Sequence, residues 1–425
     1  MSSAPPSAPL SPQRVLQLSL LFGALYFVQG IAEPSEGLIS QPVRSMLRDW
    51  GTKTGDIASL MAWLVFPWTI KPLYGLLADF VPLGHRRRRN WLILATLTTT
   101  VGLSYVAWNP PQPGQVSHLL TMLLIPTIAV AFADVVTDSL MVEVGQPHGL
   151  TGRLQSVQWA CLYGATILTG IVGGWLSSHK LQPLGFGLCA AAAFVSLMLA
   201  LTSIPEPPKA DDELPLRDRM RAVSQALRQP RFLAAAAFLF LWNFNPFSTA
   251  ILQDYQVTHL KLGDQFYGNT VSVSAVASIL ACIAYGWYCP QVSVNALIHL
   301  SIISGILTTL LYLGLSGEMS GYLLAAITGF TYMTGSLVQL DLAARVCPPL
   351  AAGTVFALLM SLSNLGIGGG MFAGGWLHNQ FEPLLGPHRM FDVLVLIGAA
   401  ASTLGWLLYP WLKQLPEAER DQAAA

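Results

Sequence analysis

The chain has 425 residues, 53% of them hydrophobic and only 10% charged, and its formal net charge is zero. Ordinary soluble domains carry about 25% charged residues, so this composition excludes a water-compatible globular surface. It also lacks the basic excess that attracts nucleic acid, and no nucleic-acid partner is expected.

Apolar windows of about 20 residues, long enough to cross about 30 Å of hydrocarbon, recur along nearly the whole chain. They are continuous and rich in Leu, Ala and Gly rather than alternating, which favours spanning helices over a β-barrel. The first fourteen residues, "MSSAPPSAPLSPQR", lack the charged start and cleavage site of a signal peptide, and residues 1–14 are expected to be a disordered tail. Six spans follow near 15–33, 56–79, 90–108, 117–142, 153–177 and 183–204, making an N-terminal six-helix bundle over 15–204. Pro205 to Arg231, "PEPPKADDELPLRDRMRAVSQALRQPR", interrupts the apolar pattern. Its first part reads as a linker and its end as a basic amphipathic helix on the membrane surface, so 205–230 is taken as a cytoplasmic linker. A second six-helix bundle over 231–413 has spans near 231–252, 266–288, 294–314, 321–346, 353–377 and 390–412, and residues 414–425 form a tail. The fold class is an all-α membrane protein of twelve helices.

The halves look like copies. Gly152 precedes "GGWL" (Gly173 to Leu176) by 21 positions, and Gly353 precedes a second "GGWL" (Gly374 to Leu377) by the same 21, so each matched residue is offset by 201. Parallel six-helix repeats about an axis normal to the membrane describe the major facilitator architecture, which places a substrate site at the midplane between bundles. Gly170 and Gly174, with Gly366, Gly370 and Gly374, recur at four-residue spacing and allow close helix approach, either in static packing or at a sliding interface. With the N-terminus inside, 15 Lys and Arg fall in inner segments and 6 in outer ones, which puts both termini in the cytoplasm of a multi-pass protein of the cell inner membrane.

Against this apolar background, charged residues inside spans carry the information. Lys71 lies near the centre of the second span, where insertion costs about 2.5–3.5 kcal/mol, so it faces either an acid on a neighbouring helix or an anionic substrate. Asp134 and Asp138 sit four apart, on one face of the fourth span. Two like charges there repel, which favours a bound proton on one of them and makes the pair the candidate for proton coupling. Glu33 and Glu36 flank Pro34 where the first helix ends, and either line the cavity or sit among outer headgroups. Gln155 and Trp159 offer hydrogen bonds and a stacking face, or an interfacial anchor. Asn243, Asn245 and Asp254 interrupt or end the seventh span around Pro246 as polar contributions from the second bundle. Asp79, Arg86, Arg87 and Arg88 mark the cytoplasmic end of the second span as a topological lock and a candidate gate, joined by Glu143 and Arg153. Asp341 and Arg345 are an acid followed four residues later by a base, the favourable order for an intrahelical pair.

Five cysteines without CxxC spacing read as packing residues, and the eight histidines form no HxxxH or HExxH arrangement. No metal or cofactor is expected. Neither is an enzyme, for want of a nucleophile or metal motif.

"GLLAD" (Gly75 to Asp79) followed by a basic turn resembles the loop between spans two and three of the major facilitator superfamily, apart from "FVPL" inserted before Gly84. "YFVQG" (Tyr26 to Gly30), "PWTIKPLYGLLADFVPLGHRRR" (Pro67 to Arg88), "DVVTDSLMVE" (Asp134 to Glu143) and "GLTGRLQSVQW" (Gly149 to Trp159) resemble the folate–biopterin transporter family. That resemblance implies functional roles for Lys71, Asp79, Asp134, Asp138, Glu143 and Arg153, and transport of a folate or pterin with protons. "GIAEPSEGLISQPVR" (Gly30 to Arg44) is instead similar to muropeptide permease-like and acetyl-coenzyme A transporter-like relatives. The expectation is a monomeric secondary transporter of a small organic anion working by alternating access. A permease for a muropeptide, a siderophore or an acyl-coenzyme A is the alternative.

Overall fold

The computed structural model describes residues 10–81, 83–84, 88–145, 148, 150–204, 216–347 and 352–413. These residues are predominantly helical. Among them, eleven helical segments are long and apolar enough to cross a membrane. Leu20, Val101, Ile283, Leu323 and Leu407 are exposed on their flanks, whereas Thr127, Gln158 and Ser301 are buried. Apolar outside and selectively polar inside is what lipid as solvent demands. Serine and threonine enter these helices by donating to the carbonyl one turn back, as Thr127 Oγ1 does to Leu123 O at 2.7 Å.

The first helix, α1 (Pro12–Ala32), begins earlier than expected, so residues 12–14 of the presumed tail are helical. Pro12 occupies the first turn, and the Ser11 hydroxyl accepts from the Arg14 amide at 3.3 Å. A short helix not foreseen from the sequence follows, α2 (Ser40–Asp49). The second span is in two pieces, α3 (Thr54–Thr69) and α4 (Lys71–Phe80), parted at Ile70 between Pro67 and Pro72. The remaining helices of the first half are α5 (Arg89–Trp108), α6 (Val116–Gly145), α7 (Thr151–Ser178) and α8 (Gln182–Thr202). After α9 (Leu216–Leu227), which forms where an amphipathic helix was expected, the seventh span is also broken. It is made of α10 (Pro230–Asn243) and α11 (Thr249–Asp254), continued by a π-helical turn, Tyr255–His259. The interruption falls between Asn243 and Thr249, at the polar residues around Pro246 that were expected to interrupt or end this span. The chain closes with α12 (Asp264–Tyr288), α13 (Val294–Leu310), α14 (Glu318–Val346), α15 (Ala352–Leu385) and α16 (Pro387–Leu412).

Two compact units result. The first comprises Met1–Trp50 and Leu73–Asp211, the second Gly51–Pro72 and Asp212–Ala425, so the chain passes from one to the other within the second span, next to its helix break. In the first unit α1 packs on α7 and α8, and α5 on α6 and α8. In the second, α3 lies along α15 and touches α11, while α10 packs on α15 and α16. The core of the second unit is in two clusters on either side of the α10–α11 break. One is built around Phe232, Phe238, Trp242 and Ile298, the other around Phe247, Ile251, Phe391 and Leu394.

Close backbone approach explains the glycines of α15. A Cβ on Gly370 would lie 2.6 Å from the Asn245 amide, and one on Gly374 would lie 1.8 Å from Pro246 O. Gly55 and Gly375 bring α3 equally close, a Cβ on Gly55 falling 2.0 Å from Gly375 O. The glycine stripe of the second half is therefore a packing seam within that unit.

Candidate functional site

In the first unit the two acids of α6 meet two polar residues of α1. The Tyr26 hydroxyl donates to Asp138 Oδ1, and Gln29 Nε2 donates to Asp134 Oδ1 at 2.7 Å. Tyr26 and Gln29 are three apart and the acids four apart, so the bonds form two successive rungs between antiparallel helices. Asp134 is buried and Asp138 half-buried. Beside them is a cavity of about 30 Å³, mostly apolar in lining, with Gln29, Thr96, Thr99, Thr137 and Ser196 as its polar members and room for a water molecule. Sequence reasoning found the acids and missed their partners. The available signals were the "YFVQG" motif, which holds both Tyr26 and Gln29, and their place on one side of the apolar second half of α1.

At the end of this unit where α4 leads into α5, Arg88 pairs with Glu143 at 3.0 Å. Arg89 does something else: its guanidinium donates to the last carbonyls of α8, Ala200 O at 3.0 Å and Leu201 O. Arg153 is exposed. Arg86 and Arg87 lie outside the described residues, as does the side chain of Asp79.

Lys71 opens α4 immediately after the break in the second span, half-buried, with its ammonium 4.7 Å from the Trp68 ring centroid. Gln155 and Trp159 are exposed on α7, and Trp159 stacks on Tyr163 at 6.2 Å. Glu33 is used locally. It accepts from the Ser35 amide at 2.8 Å, the Ser35 hydroxyl and the Glu36 amide at 2.5 Å, closing the turn after α1. Burial nevertheless pushes its carboxyl up to about 7. Glu36 is exposed beside it.

In the second unit Asn243 Nδ2 donates to Gln339 Oε1 of α14 at 3.0 Å, and Asn245 Oδ1 accepts from the Phe247 amide at 3.3 Å inside the break. Asp341 and Arg345 form the expected intrahelical pair at 3.0 Å. Asp254 accepts from Thr54 Oγ1 of α3 at 2.9 Å and Thr258 Oγ1 at 2.7 Å, so both of its oxygens have partners. Among the described residues no group of three or more His, Cys, Asp or Glu could hold a metal ion.

A sequence profile of the BT1 family matches residues 29–423. This chain belongs to the BT1 family. Its relatives include the folate-biopterin transporter of Synechocystis sp., 29% identical over 417 residues that cover 92% of this chain and 80% of the relative. Probable folate-biopterin transporter 4 of Arabidopsis thaliana is 22% identical, covering 83% of this chain and 86% of its own. Among solved structures, the nucleoside transporter NupG superposes with a TM-score of 0.70 at 15% identity, over 95% of this chain and 99% of that one. A D-xylose-proton symporter does so with the same TM-score at 16% identity, over 95% and 99%. The BT1 family chain thus has the major facilitator fold. It is a multi-pass membrane transporter of a small molecule, not an enzyme.

Proposed function

We propose that this BT1 family member moves a folate- or pterin-like organic anion by alternating access together with protons. The observation that carries the reading is the pair of acids on α6, Asp134 and Asp138, each held by a donor from α1. Like charges four residues apart on one helix face repel, so uptake or release of a proton by this pair would change the electrostatic load on α1. A small cavity beside Gln29 and Thr137, with room for about one water molecule, adjoins the pair. Lys71 supplies the cation for the substrate's carboxylate, at a helix break where a side-chain ammonium and a helix N-terminus both favour negative charge. Trp159 and Gln155 offer a stacking face and hydrogen bonds to a pterin-like ring. The excess of Lys and Arg in the inner segments places both termini in the cytoplasm, with Arg88–Glu143 and Asp341–Arg345 at the cytoplasmic ends of their helices.

Uptake of labelled folic acid into proteoliposomes, in competition with pterins, muropeptides and siderophores, tests the substrate class. Folates and pterins are expected to compete and the others not. In the same assay Lys71→Ala is expected to reduce folate uptake at least about tenfold at equal protein level, the worth of one charge-assisted contact. Competition by muropeptides alone would reject the folate reading, and normal uptake by the Lys71 variant would reject its role.

A further inference from the structure

The distal end of the second unit, away from the C-terminus, gathers four titratable side chains that the mechanism above does not use. His259, on the π-helical turn, places Nε2 3.6 Å from Asp254 Oδ2 and 3.8 Å from Glu382 Oε1 of α15. His378, one turn before Glu382 and only 5% exposed, has its Nδ1 3.7 Å from Glu382 Oε2 and without a hydrogen-bond partner. Asp254 and α15 also reach α3. Thr54 donates to Asp254, and Asn379, adjacent to His378, accepts from the Gly55 amide at 3.1 Å while donating to Asp56 Oδ1 at 2.8 Å. One imidazole thus stands between the carboxylates of two helices that both grip the start of a third.

π-Turns inside helices often mark functional positions, because the extra residue re-aims a side chain. Here the turn carries His259 toward α15, and it is anchored from behind. Tyr255 stacks on Phe391 of α16 at 4.1 Å, with its hydroxyl 2.7 Å from His388 Nδ1.

We propose that His259, protonated and bridging Asp254 and Glu382, is a second proton-binding site that clasps α3 against α11 and α15. Other ionisable groups around it are Asp56 on α3, Asp264 on α12, which accepts from Gln253 at 3.1 Å, and His388 and Asp392 on α16. Two carboxylates lie within 4 Å of the His259 ring, Asp254 at 3.6 Å and Glu382 at 3.8 Å, and opposite charge at that range favours the protonated imidazole. A group whose pKa is higher in the clasped state stabilises that state fully below its released value of about 6.5, and the stabilisation fades as pH rises through the clasped value. Neutral His259 no longer offers a positive charge to Asp254 and Glu382, so α3 loosens at alkaline pH.

Hydrogen exchange of the full-length protein in nanodiscs, corrected for intrinsic rates, reads this without any substrate. Amides of α3 and of Thr249–His259 are expected to lose about tenfold in protection between about pH 5.5 and 8.5. α13 should stay unchanged. His259→Gln is expected to abolish the pH dependence. Glu382→Gln, which leaves the imidazole in place, is expected to move the midpoint to lower pH. Flat protection in the wild type, persistence of the step in His259→Gln, or an unmoved midpoint in Glu382→Gln would each overturn the proposal. Because no transport is measured, the result is independent of the substrate and of Asp134 and Asp138.

Discussion

At the scale of single residues, the first unit turns on the two hydrogen bonds from α1 to α6. A bond to a charged acceptor is worth about 1.5–3 kcal/mol, and Asp138 receives one from a phenol whose ring is buried among apolar neighbours. Tyr26→Phe keeps the ring and removes only the donor. Initial uptake rates in vesicles are expected to fall by about tenfold or more while the yield of folded protein is unchanged. An unaltered rate would show that Tyr26 only packs. The acids were legible in the sequence because a charge in an apolar span is costly wherever it appears. Their partners were not, because Tyr26 and Gln29 lie 112 and 105 residues away and neither type is out of place in a span. The same holds for His259, whose partner Glu382 stands on another helix and makes no motif with it.

At the scale of helices, hydropathy located the spans closely, because lipid allows only a fully hydrogen-bonded helix across it. Hydropathy did not reveal the break in the second span, whereas the polar residues around Pro246 marked the one in the seventh. Pro67 and Pro72 were visible in the second span and Pro246 in the seventh, but proline kinks some helices and parts others, and the outcome depends on what packs against the freed carbonyls. Here α15 settles the seventh span by pressing glycines onto it. The expected cost of disturbing that seam follows from distance. Gly374→Ala puts a methyl group 1.8 Å from Pro246 O, too close for backbone to absorb, whereas Gly152→Ala meets open space. The first is expected to cost about 1–3 kcal/mol and lower the melting temperature of purified protein by several degrees, and the second to leave it unchanged. Equal melting temperatures would mean that α15 has slack against the break. The short helix α2 escaped notice for a different reason. Its ten residues are too few and too polar to register as a span, and it is held by burial of Val43 and Leu47.

At the scale of the whole molecule, the second span belongs to both units: α3 is bonded along its length to α15, from Asn364 donating to Trp68 O at 3.1 Å to Asn379 at Gly55, and α4 continues into the first unit. Lys71 sits at that junction. This division could not be read from hydropathy, since α3 and α4 together have the length and composition of one span. Under the proposed function the lysine meets substrate charge at this break, and under the proposed clasp α3 is the element whose attachment His259 controls.

Proton movement during transport is the most direct test of the central claim that the α6 acids couple the carrier to protons. Proteoliposomes containing a trapped pH indicator would be given folic acid outside with no initial pH difference. The account predicts acidification of the interior that follows uptake in the wild type and is absent in Asp138→Asn, although that variant still exchanges folate across the membrane. Folate uptake with no change of internal pH in the wild type, or acidification that persists undiminished in Asp138→Asn, would contradict it.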